Sequence, residues 1–219
     1  SYIIECAQRF PGKFSPVVVL DTNQFDATTK LEQLAKDGAE GIRLRATNRS
    51  PGDDSLAIWR KALELGLPVS CLGSPEEISS EEFEMVVQQL PGLRIVIEHM
   101  GSQGRIDAAP PYTTYRKVLE LSRYPNTYIK IVSLGQLSPR SAPFDSSSPF
   151  QNIPPLIDMA IDAFGAHRCM WGSDYPPTGG REGYGNAQRY LRDHLSKRTE
   201  EEREWVFGKT ALSVFKFGA

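Results

Sequence analysis

The chain has 219 residues, enough for one large domain with a substantial core. Its formal net charge is −2 and 40% of its residues are hydrophobic, so charge indicates neither a nucleic-acid-binding surface nor an anionic-membrane partner. No apolar run reaches the length of a membrane span, and the first 12 residues, which include Glu5 and Arg9, do not form a signal peptide.

The cysteine content is typical of a reducing compartment. Cys6, Cys71 and Cys169 are odd in number, far apart in sequence and set in apolar surroundings. This pattern indicates buried, reduced thiols rather than a disulfide framework. No CxxC spacing or cysteine–histidine cluster predicts a structural zinc site. The sequence therefore favours a cytoplasmic protein.

The first half of the chain alternates helical and strand patterns. A helix over Tyr2–Phe10 should end at Pro11-Gly12, since neither residue continues a helix well. Further helices are predicted over Thr28–Gly38, over Leu56–Gly66, and from an N-cap at Ser79 or Ser80 to Leu90. Strands are predicted where apolar residues dominate, at Phe14–Leu20, Gly41–Arg45, Leu67–Leu72 and the Ile95–Ile97 run that leads into Glu98 and His99.

The second half continues the alternation. A helix is predicted over Tyr112–Tyr124, followed by a strand over Thr127–Val132. The Ser- and Pro-rich stretch Leu134–Pro155 is predicted to be a loop, and its 137–155 part to be either a lid or an oligomer contact. The remaining predictions are a helix over Ile157–Phe164, a strand from Cys169 to Trp171, a Gly-rich loop over Thr178–Gly185, and closing helices over Asn186–Leu195 and Thr199–Phe217.

Six strands in strict alternation with helices predict an α/β fold with a parallel sheet. Two architectures fit, a doubly wound open sheet and a (β/α)₈ TIM barrel that lacks two units. A helix-first start is natural for a barrel whose first strand, first helix and second strand are absent. We therefore expect one domain over residues 1–219, an incomplete TIM barrel without its first two strands. An open edge of unpaired strands would favour association, so a homo-oligomer is one expectation.

Two strands end abruptly in residues that can do chemistry. His99 follows Ile95–Ile97 and Glu98, and Asp174 follows the Cys169–Trp171 run. Carboxyl ends of parallel strands converge on one face, where α/β enzymes place their active sites. Histidine is suited to metal ligation or proton transfer, and aspartate can ligate a metal or activate water. The structural alternatives are a core histidine bonded to a carbonyl, and an acid that holds the turn at Pro176.

Charged residues inside two strands are candidates for substrate binding. Arg43 and Arg45 alternate with apolar neighbours, and a guanidinium matches the carboxylate of an anionic substrate. Ion pairs with nearby acids would explain both arginines equally well. Lys130 lies between two isoleucines, and a buried lysine needs a partner or a function. Glu98 is expected to face the outer helices or to support the site.

Other polar features receive structural interpretations. His167 and His194 are expected in solvent, and Gly179-Gly180 is a weak signal for a phosphate cradle. Gly172 is expected to let a backbone or a ligand come close. The sequence has no GxSxG, GxGxxG or Walker motif, so a nucleophile elbow, a dinucleotide site and a P-loop are not indicated.

Several of these motifs together resemble the amidohydrolase-2 family of TIM-barrel hydrolases, in the branch with pyrone-dicarboxylate and sugar lactonases. The resemblance covers essentially the whole chain. Its most specific parts are the segments 93–101, ending in His-Met-Gly, and 170–176, containing Gly-Ser-Asp. Weaker matches are the segments 10–14, 41–44, 126–130 and 207–211.

The resemblance implies a hydrolase that opens a lactone, or a related ester or amide, of a small and often carboxylated substrate. Asp174 matches the aspartate that activates water and His99 the strand-end histidine, so both are implied as catalytic residues and as metal ligands. Arg43 matches a position that could hold a substrate carboxylate, and we place Arg45, Lys130 and Tyr175 in the substrate site beside it. The cofactor is implied to be one divalent metal, Zn²⁺ or Mn²⁺, or none.

The sequence departs from the family pattern at its start. The family has a His-x-His pair at the end of its first strand, and this sequence has none. Catalytic zinc usually has three protein ligands, whereas His99 and Asp174 supply two. We therefore expect an unseen segment of ~50 residues before Ser1, from the ~250-residue norm for a barrel. The alternatives are a metal-dependent decarboxylase of the same superfamily and a truncated, non-catalytic homologue that acts in binding or assembly.

Overall fold

A computed structural model of the chain describes residues 1–102, 109–138, 149–150 and 152–217. Its centre is a sheet of six parallel strands in sequence order: β1 (Val17–Val18), β2 (Gly41–Arg45), β3 (Val69–Leu72), β4 (Ile95–Ile97), β5 (Thr127–Ile131) and β6 (Cys169–Trp171). Each strand pairs with the next, and within the described residues β1 and β6 are not paired with each other. The prediction of a parallel α/β fold with six strands is confirmed.

The two faces of the sheet differ in chemistry. The face toward the helices is apolar and fully buried, as Ile42, Val69, Ile97 and Ile129 show. Because neighbours in register share a face, the pairing of Arg43 with Ser70 and of Lys130 with Met170 places those four residues on the other, inner face. In β4 the inner-face residue Val96 is as fully buried as Ile95 and Ile97, which explains why this strand reads as a continuous apolar run.

Helices connect the strands and cover the outer face. The helices before β5 are Tyr2–Arg9, Ala27–Lys36, Ala57–Glu64, Pro75–Ile78, Glu81–Gln89 and Thr113–Leu119, the last continued by a 3₁₀ turn over Glu120–Arg123. Those after β5 are Leu134–Leu137, Leu156–Phe164, Pro177–Arg181, Tyr184–His194, Glu200–Glu204 and Thr210–Val214, with 3₁₀ turns over Ala166–Arg168 and Leu195–Lys197. None of the described helices is both long and apolar enough to cross a bilayer.

Most predicted helices are present, and Ser80 is the N-cap that was expected, since its hydroxyl accepts from the Phe83 N–H. Four predictions are corrected. The first strand is only Val17–Val18, which leaves Val19 exposed at the sheet edge. The segment Leu134–Leu137, predicted as loop, is a helical turn, whereas residues 139–148 and 151 of that stretch lie outside the described residues.

The third correction concerns the Gly-rich segment after β6. Residues Pro177–Arg181 form a short helix rather than a loop, because Pro177 is preorganised for the first helical position. The last predicted helix is also divided, since a π-helical segment, Trp205–Lys209, separates Glu200–Glu204 from Thr210–Val214.

The closing helix covers the amino-terminal part of the inner face. Val214 packs in one buried cluster with Val96 of β4 and Met170 of β6, and Phe215 packs against that cluster. The inner face is therefore apolar toward the amino ends of the strands. It becomes polar toward their carboxyl ends, where Glu98 and Lys130 lie.

The three cysteines should differ sharply in reactivity. Cys71 and Cys169 are buried, and burial raises the pKa of both thiols, that of Cys169 to about 12, while Cys6 is only half-buried. We expect a thiol reagent such as DTNB at pH 8 to label Cys6 alone in the native protein and all three cysteines in denaturant. Rapid native labelling of Cys6→Ser protein would contradict this assignment.

Candidate active site

The candidate site begins with an unusual turn after β4. His99, Met100, Gly101 and Ser102 all have positive φ, with values of 49°, 54°, 69° and 65°. Left-handed backbone costs a non-glycine residue roughly 1–2 kcal/mol, so tertiary packing must hold this turn. Met100 is buried, and a Cβ at Gly101 would lie 2.9 Å from Val118, which explains the glycine. Strained backbone held in this way is characteristic of functional sites.

Asp174, which follows β6, also has a left-handed backbone, with a φ of 54°. The two strand ends face one cavity of about 420 Å³, which also takes side chains from three other segments. Its lining residues are Leu72, His99, Ser102, Val132, Gly135, Gln136, Asp174, Pro177 and Arg181. The structure thus brings together His99 and Asp174, the two residues that were predicted to be catalytic.

Within the cavity, the imidazole and the carboxylate approach without bonding directly. His99 Nε2 lies 3.9 Å from Asp174 Oδ1, which is beyond hydrogen-bond distance. The side-chain amide of Gln136 lies between them, with Nε2 at 3.3 Å from His99 Nδ1 and at 3.2 Å from Asp174 Oδ2. Two atoms 3.9 Å apart can both contact one water oxygen, so this pair can hold a nucleophilic water.

The surroundings of His99 favour its neutral form. Burial lowers the pKa of His99, and the cations Lys130 and Arg43 lower it further, while Glu98 and Asp174 raise it in part. The net shift is downward, so the ring is uncharged at neutral pH. A neutral imidazole has one nitrogen that donates and one that accepts, as the contacts with Gln136 and Asp174 require.

A buried ion network lies below the cavity and is centred on Glu98, which is only 2% exposed. Glu98 Oε1 accepts a hydrogen bond from Lys130 Nζ at 2.6 Å and another from the Ser70 hydroxyl, and lies 3.5 Å from the Arg43 guanidinium. Gly172 makes room for this network, because a Cβ there would lie 2.5 Å from the Lys130 stem. The close approach that was expected at Gly172 is thus that of a side chain.

Three of the predicted substrate-binding residues, Arg43, Arg45 and Lys130, make ion pairs with acidic residues. Glu98 faces inward and not toward the outer helices, so that alternative is wrong. Arg45 pairs with Glu77 at 2.8 Å and is half-exposed, so the ion-pair alternative describes it. Arg43 and Lys130 belong to the Glu98 network, and neither lines the cavity.

Tyr175 is not among the residues that line the cavity. Its side chain is exposed and its ring packs edge-on against Tyr184. His167 is exposed as expected, but His194 is half-buried, with Nε2 3.4 Å from a carboxylate oxygen of Asp158. The prediction that His194 is solvated is therefore wrong.

Three residues at or beside the cavity were not predicted from the sequence. Gln136 and Arg181 line the cavity, and Arg181 Nη1 lies 3.7 Å from Asp174 Oδ2. Glu182 is buried beside them and accepts the Gly135 N–H at 2.7 Å. All three lie in segments that the sequence pattern predicts to be loops. The usable signal was their position just after strands β5 and β6, where barrel enzymes carry functional residues.

The described residues do not fit a three-ligand zinc centre. No group of three or more His, Cys, Asp or Glu side chains among them could hold a metal ion. His99 and Asp174 are two donors, and the second is flanked by the Arg181 guanidinium, a cation that opposes a metal at that oxygen. We therefore derive no chemical step through a metal.

Comparison with known proteins places the chain among proteins of one family. The profile of the family described as Amidohydrolase matches residues 1–217. A structure from Pseudomonas putida, named as a candidate 2-pyrone-4,6-dicarboxylic acid hydrolase, superimposes with a TM-score of 0.74 at 23% identity, over 100% of this chain and 77% of its own. A zinc-bound amidohydrolase from Burkholderia multivorans gives a TM-score of 0.72 at 19% identity. The match covers 97% of this chain and 77% of that protein.

Two further matches are more limited. A 5-carboxyvanillate decarboxylase from Sphingomonas paucimobilis gives a TM-score of 0.64 at 14% identity, over 99% of this chain and 70% of its own. An uncharacterized protein of Sinorhizobium fredii, y4mH, is 31% identical over 97 residues, which are 44% of this chain and 30% of that protein. The chain thus matches less than a third of the length of this curated relative. At such identities the structural matches establish the TIM-barrel fold, and the prediction of that fold is confirmed.

Proposed function

Because the chain belongs to the amidohydrolase family, we propose that it hydrolyses a lactone, or a related ester or amide, of a small carboxylated substrate. The observation that carries the proposal is the placement of His99 Nε2 and Asp174 Oδ1, 3.9 Å apart, at one cavity. Such a pair can hold and deprotonate a water molecule, which is the central requirement of hydrolysis. The cavity volume of about 420 Å³ is suited to a small ligand.

The proposed mechanism uses only residues that line the cavity. A water bound between His99 and Asp174 attacks the carbonyl carbon of the substrate, and its proton passes to the Asp174 carboxylate. The new carbon–oxygen bond forms a tetrahedral intermediate, whose collapse breaks the bond to the leaving oxygen. Asp174 then returns the proton to that oxygen, which gives the free alcohol and a carboxylic acid. The acid releases its own proton to solvent and becomes the carboxylate. The Nε2–H of His99 orients the water or polarises the carbonyl.

The Arg181 guanidinium supports a carboxylated substrate. It is the one cationic side chain among the described residues that line the cavity, and it lies on the Asp174 side. A guanidinium can bind a carboxylate through two parallel hydrogen bonds. The Pseudomonas putida protein, which shares the fold, is named for a dicarboxylated pyrone. We therefore place 2-pyrone-4,6-dicarboxylate first among the compounds to test.

The test is a panel of lactones with and without carboxylates, assayed by proton release and by product chromatography, with carbon dioxide measured in parallel. Proton release with ring opening is expected. Carbon dioxide release without ring opening would instead favour the decarboxylase alternative. No turnover of any compound, by the 219-residue chain or by a longer form of the protein, would favour the binding or assembly alternative.

Zinc binding by the 219-residue chain should be weak. Because no group of three or more possible donors occurs among the described residues, and stable catalytic sites use three protein ligands, we expect far less than one equivalent of zinc to remain after dialysis against a mild chelator. Elemental analysis measures the content, and His167→Gln is a control for adventitious binding. One full retained equivalent, lost in His99→Gln, would contradict this expectation.

A further inference from the structure

We infer that the Gln136 side-chain amide sets the relative position of His99 and Asp174, and that the buried Glu182 carboxylate holds Gln136 in place through Gly135. This inference rests on the proposed function for its catalytic consequence. Its structural part concerns only contacts among these five residues. Gln136 is a positioning residue here, since it acts through His99 and Asp174.

The first step is the orientation of the amide. Gln136 Nε2 lies within 3.3 Å of both His99 Nδ1 and Asp174 Oδ2, and an amide nitrogen has two hydrogens, one for each acceptor. The reversed amide would place its oxygen against the Asp174 carboxylate, where lone pairs repel. Nδ1 of His99 therefore accepts, and the neutral ring carries its proton on Nε2, on the side of Asp174 Oδ1.

The second step is the cost of this placement. The Gln136 side-chain oxygen is buried and has no hydrogen-bond partner among the described residues. A buried acceptor without a partner loses its hydration without compensation, and most such groups in proteins are satisfied. A side chain chosen for packing alone would avoid this cost. The two bonds that its nitrogen makes to His99 and Asp174 explain why an amide is present.

The third step is the anchor of the turn that carries Gln136. Glu182 is 3% exposed and accepts the Gly135 N–H at 2.7 Å and the Thr178 hydroxyl at 3.1 Å. A Cβ at residue 135 would lie 2.0 Å from Glu182 Oε2, so the carboxylate can approach only a glycine. Because Gly135 and Gln136 are adjacent, the carboxylate fixes the position of the amide.

The anchor also links the two halves of the site. Glu182 directly follows the Pro177–Arg181 helix, which begins three residues after Asp174. The Leu134–Leu137 turn is therefore bonded to the Asp174 segment twice, by the Gln136 amide and by the Gly135 N–H. This double attachment keeps the distance between His99 and Asp174 constant while substrate enters.

The test combines kinetics with a spectroscopic measurement. Gln136→Met keeps the length of the side chain and removes its donors. We expect kcat for the lactone to fall about 10²-fold with KM changed less than about 3-fold, as for a misplacement of about 1 Å at a catalytic group. Gly135→Ala should also lower kcat with little change in KM, because its Cβ would displace the Glu182 carboxylate that holds the turn. Gln88→Met is the matched control, since Gln88 is exposed and its amide bonds to the half-buried side chains of Glu84 and Tyr124, outside the cavity.

The second readout does not depend on turnover. The chain has three histidines, so ¹⁵N-histidine NMR at pH 8 resolves His99 once His167→Gln and His194→Gln spectra are compared. We expect the Nε2–H tautomer in the wild type and a mixture of tautomers in Gln136→Met. An Nδ1–H tautomer in the wild type, or an unchanged spectrum in the variant, would overturn the inference even if no lactone is hydrolysed. Absence of turnover with the expected spectra would instead count against the proposed function alone.

Discussion

Replacing Asp174 with asparagine is expected to lower kcat/KM for the lactone by about 10²–10⁴-fold, the contribution of a positioned general base. Asparagine preserves the shape of the side chain and removes its basic oxygen. It also tolerates the left-handed backbone, which matters because Asp174 has a φ of 54°. Alanine at this position would confuse the loss of a base with backbone strain. The fold should therefore survive Asp174→Asn, and far-UV circular dichroism and the midpoint of thermal unfolding check this.

A matched control is available for this variant. Asp21 also lies after a strand, β1, but it is exposed, and its hydrogen bonds to the described residues are local, from the Asn23 N–H and the Gln24 amide. Asp21→Asn should keep nearly full activity. If Asp174→Asn retained more than half of the wild-type rate, the carboxylate would not be the base and the proposed mechanism would fail.

Much of the scaffold could be predicted from local pattern alone. Continuous apolar runs identified strands such as β4, whose residues are buried on both faces. His99 and Asp174 were recognisable because each polar residue interrupts such a run at its carboxyl end. The short first strand, Val17–Val18, was overestimated, since an edge strand lacks a partner on one side and apolar neighbours such as Val19 stay outside it.

Residues that act through tertiary contacts could not be predicted in this way. Gly179 and Gly180 lie in the Pro177–Arg181 helix although each disfavours helix by about 1 kcal/mol, and the buried bond from Thr178 to Glu182 helps to offset that cost. Gln136 and Arg181 therefore lie in segments that the sequence predicts to be loops. Their place in the site follows from bonds between segments about 40 residues apart, which no local pattern contains.

The contact between Glu98 and Lys130 could not be predicted, because it depends on the register between strands β4 and β5. The pairing of Ile97 with Ile129 brings Glu98 alongside Lys130 on the inner face. Alternation within each strand shows that the two residues could face inward, but the lateral alignment of separate strands decides whether they meet. The alternation of polar and apolar residues within a strand is thus sufficient to suggest a buried charge and insufficient to identify its partner.

Loss of the Glu98 charge should produce the largest change in stability. Glu98→Gln keeps the volume but leaves the Lys130 ammonium, 2.6 Å from the carboxylate in the wild type, without its counter-charge. Removing one partner of a buried ion pair typically costs about 3–5 kcal/mol. We expect a decrease of that size in the free energy of unfolding, measured by urea denaturation at pH 7.

The pH dependence of stability gives a second, independent signature. Burial alone would raise the pKa of Glu98, but Lys130, the Ser70 hydroxyl and Arg43 together hold it below its ordinary value. A carboxyl whose pKa is lower in the folded state stabilises the protein above its unfolded pKa of about 4.3, and this stabilisation is lost as the pH falls toward the folded value. The wild type should therefore lose stability below about pH 5 more steeply than Glu98→Gln.

Two further variants distinguish the contribution of the Glu98–Lys130 ion pair to the free energy of unfolding from the general effect of a substitution. Glu204→Gln removes the exposed partner of Lys209 and should cost at most about 1 kcal/mol, as surface pairs usually do. The double variant Glu98→Gln/Lys130→Met removes both buried charges, and we expect it to recover most of the stability lost in Glu98→Gln, because a neutral pair of similar volume leaves no buried charge uncompensated. A double variant no more stable than Glu98→Gln would show that Lys130 is not the group that Glu98 neutralises, and that Arg43 has that role instead.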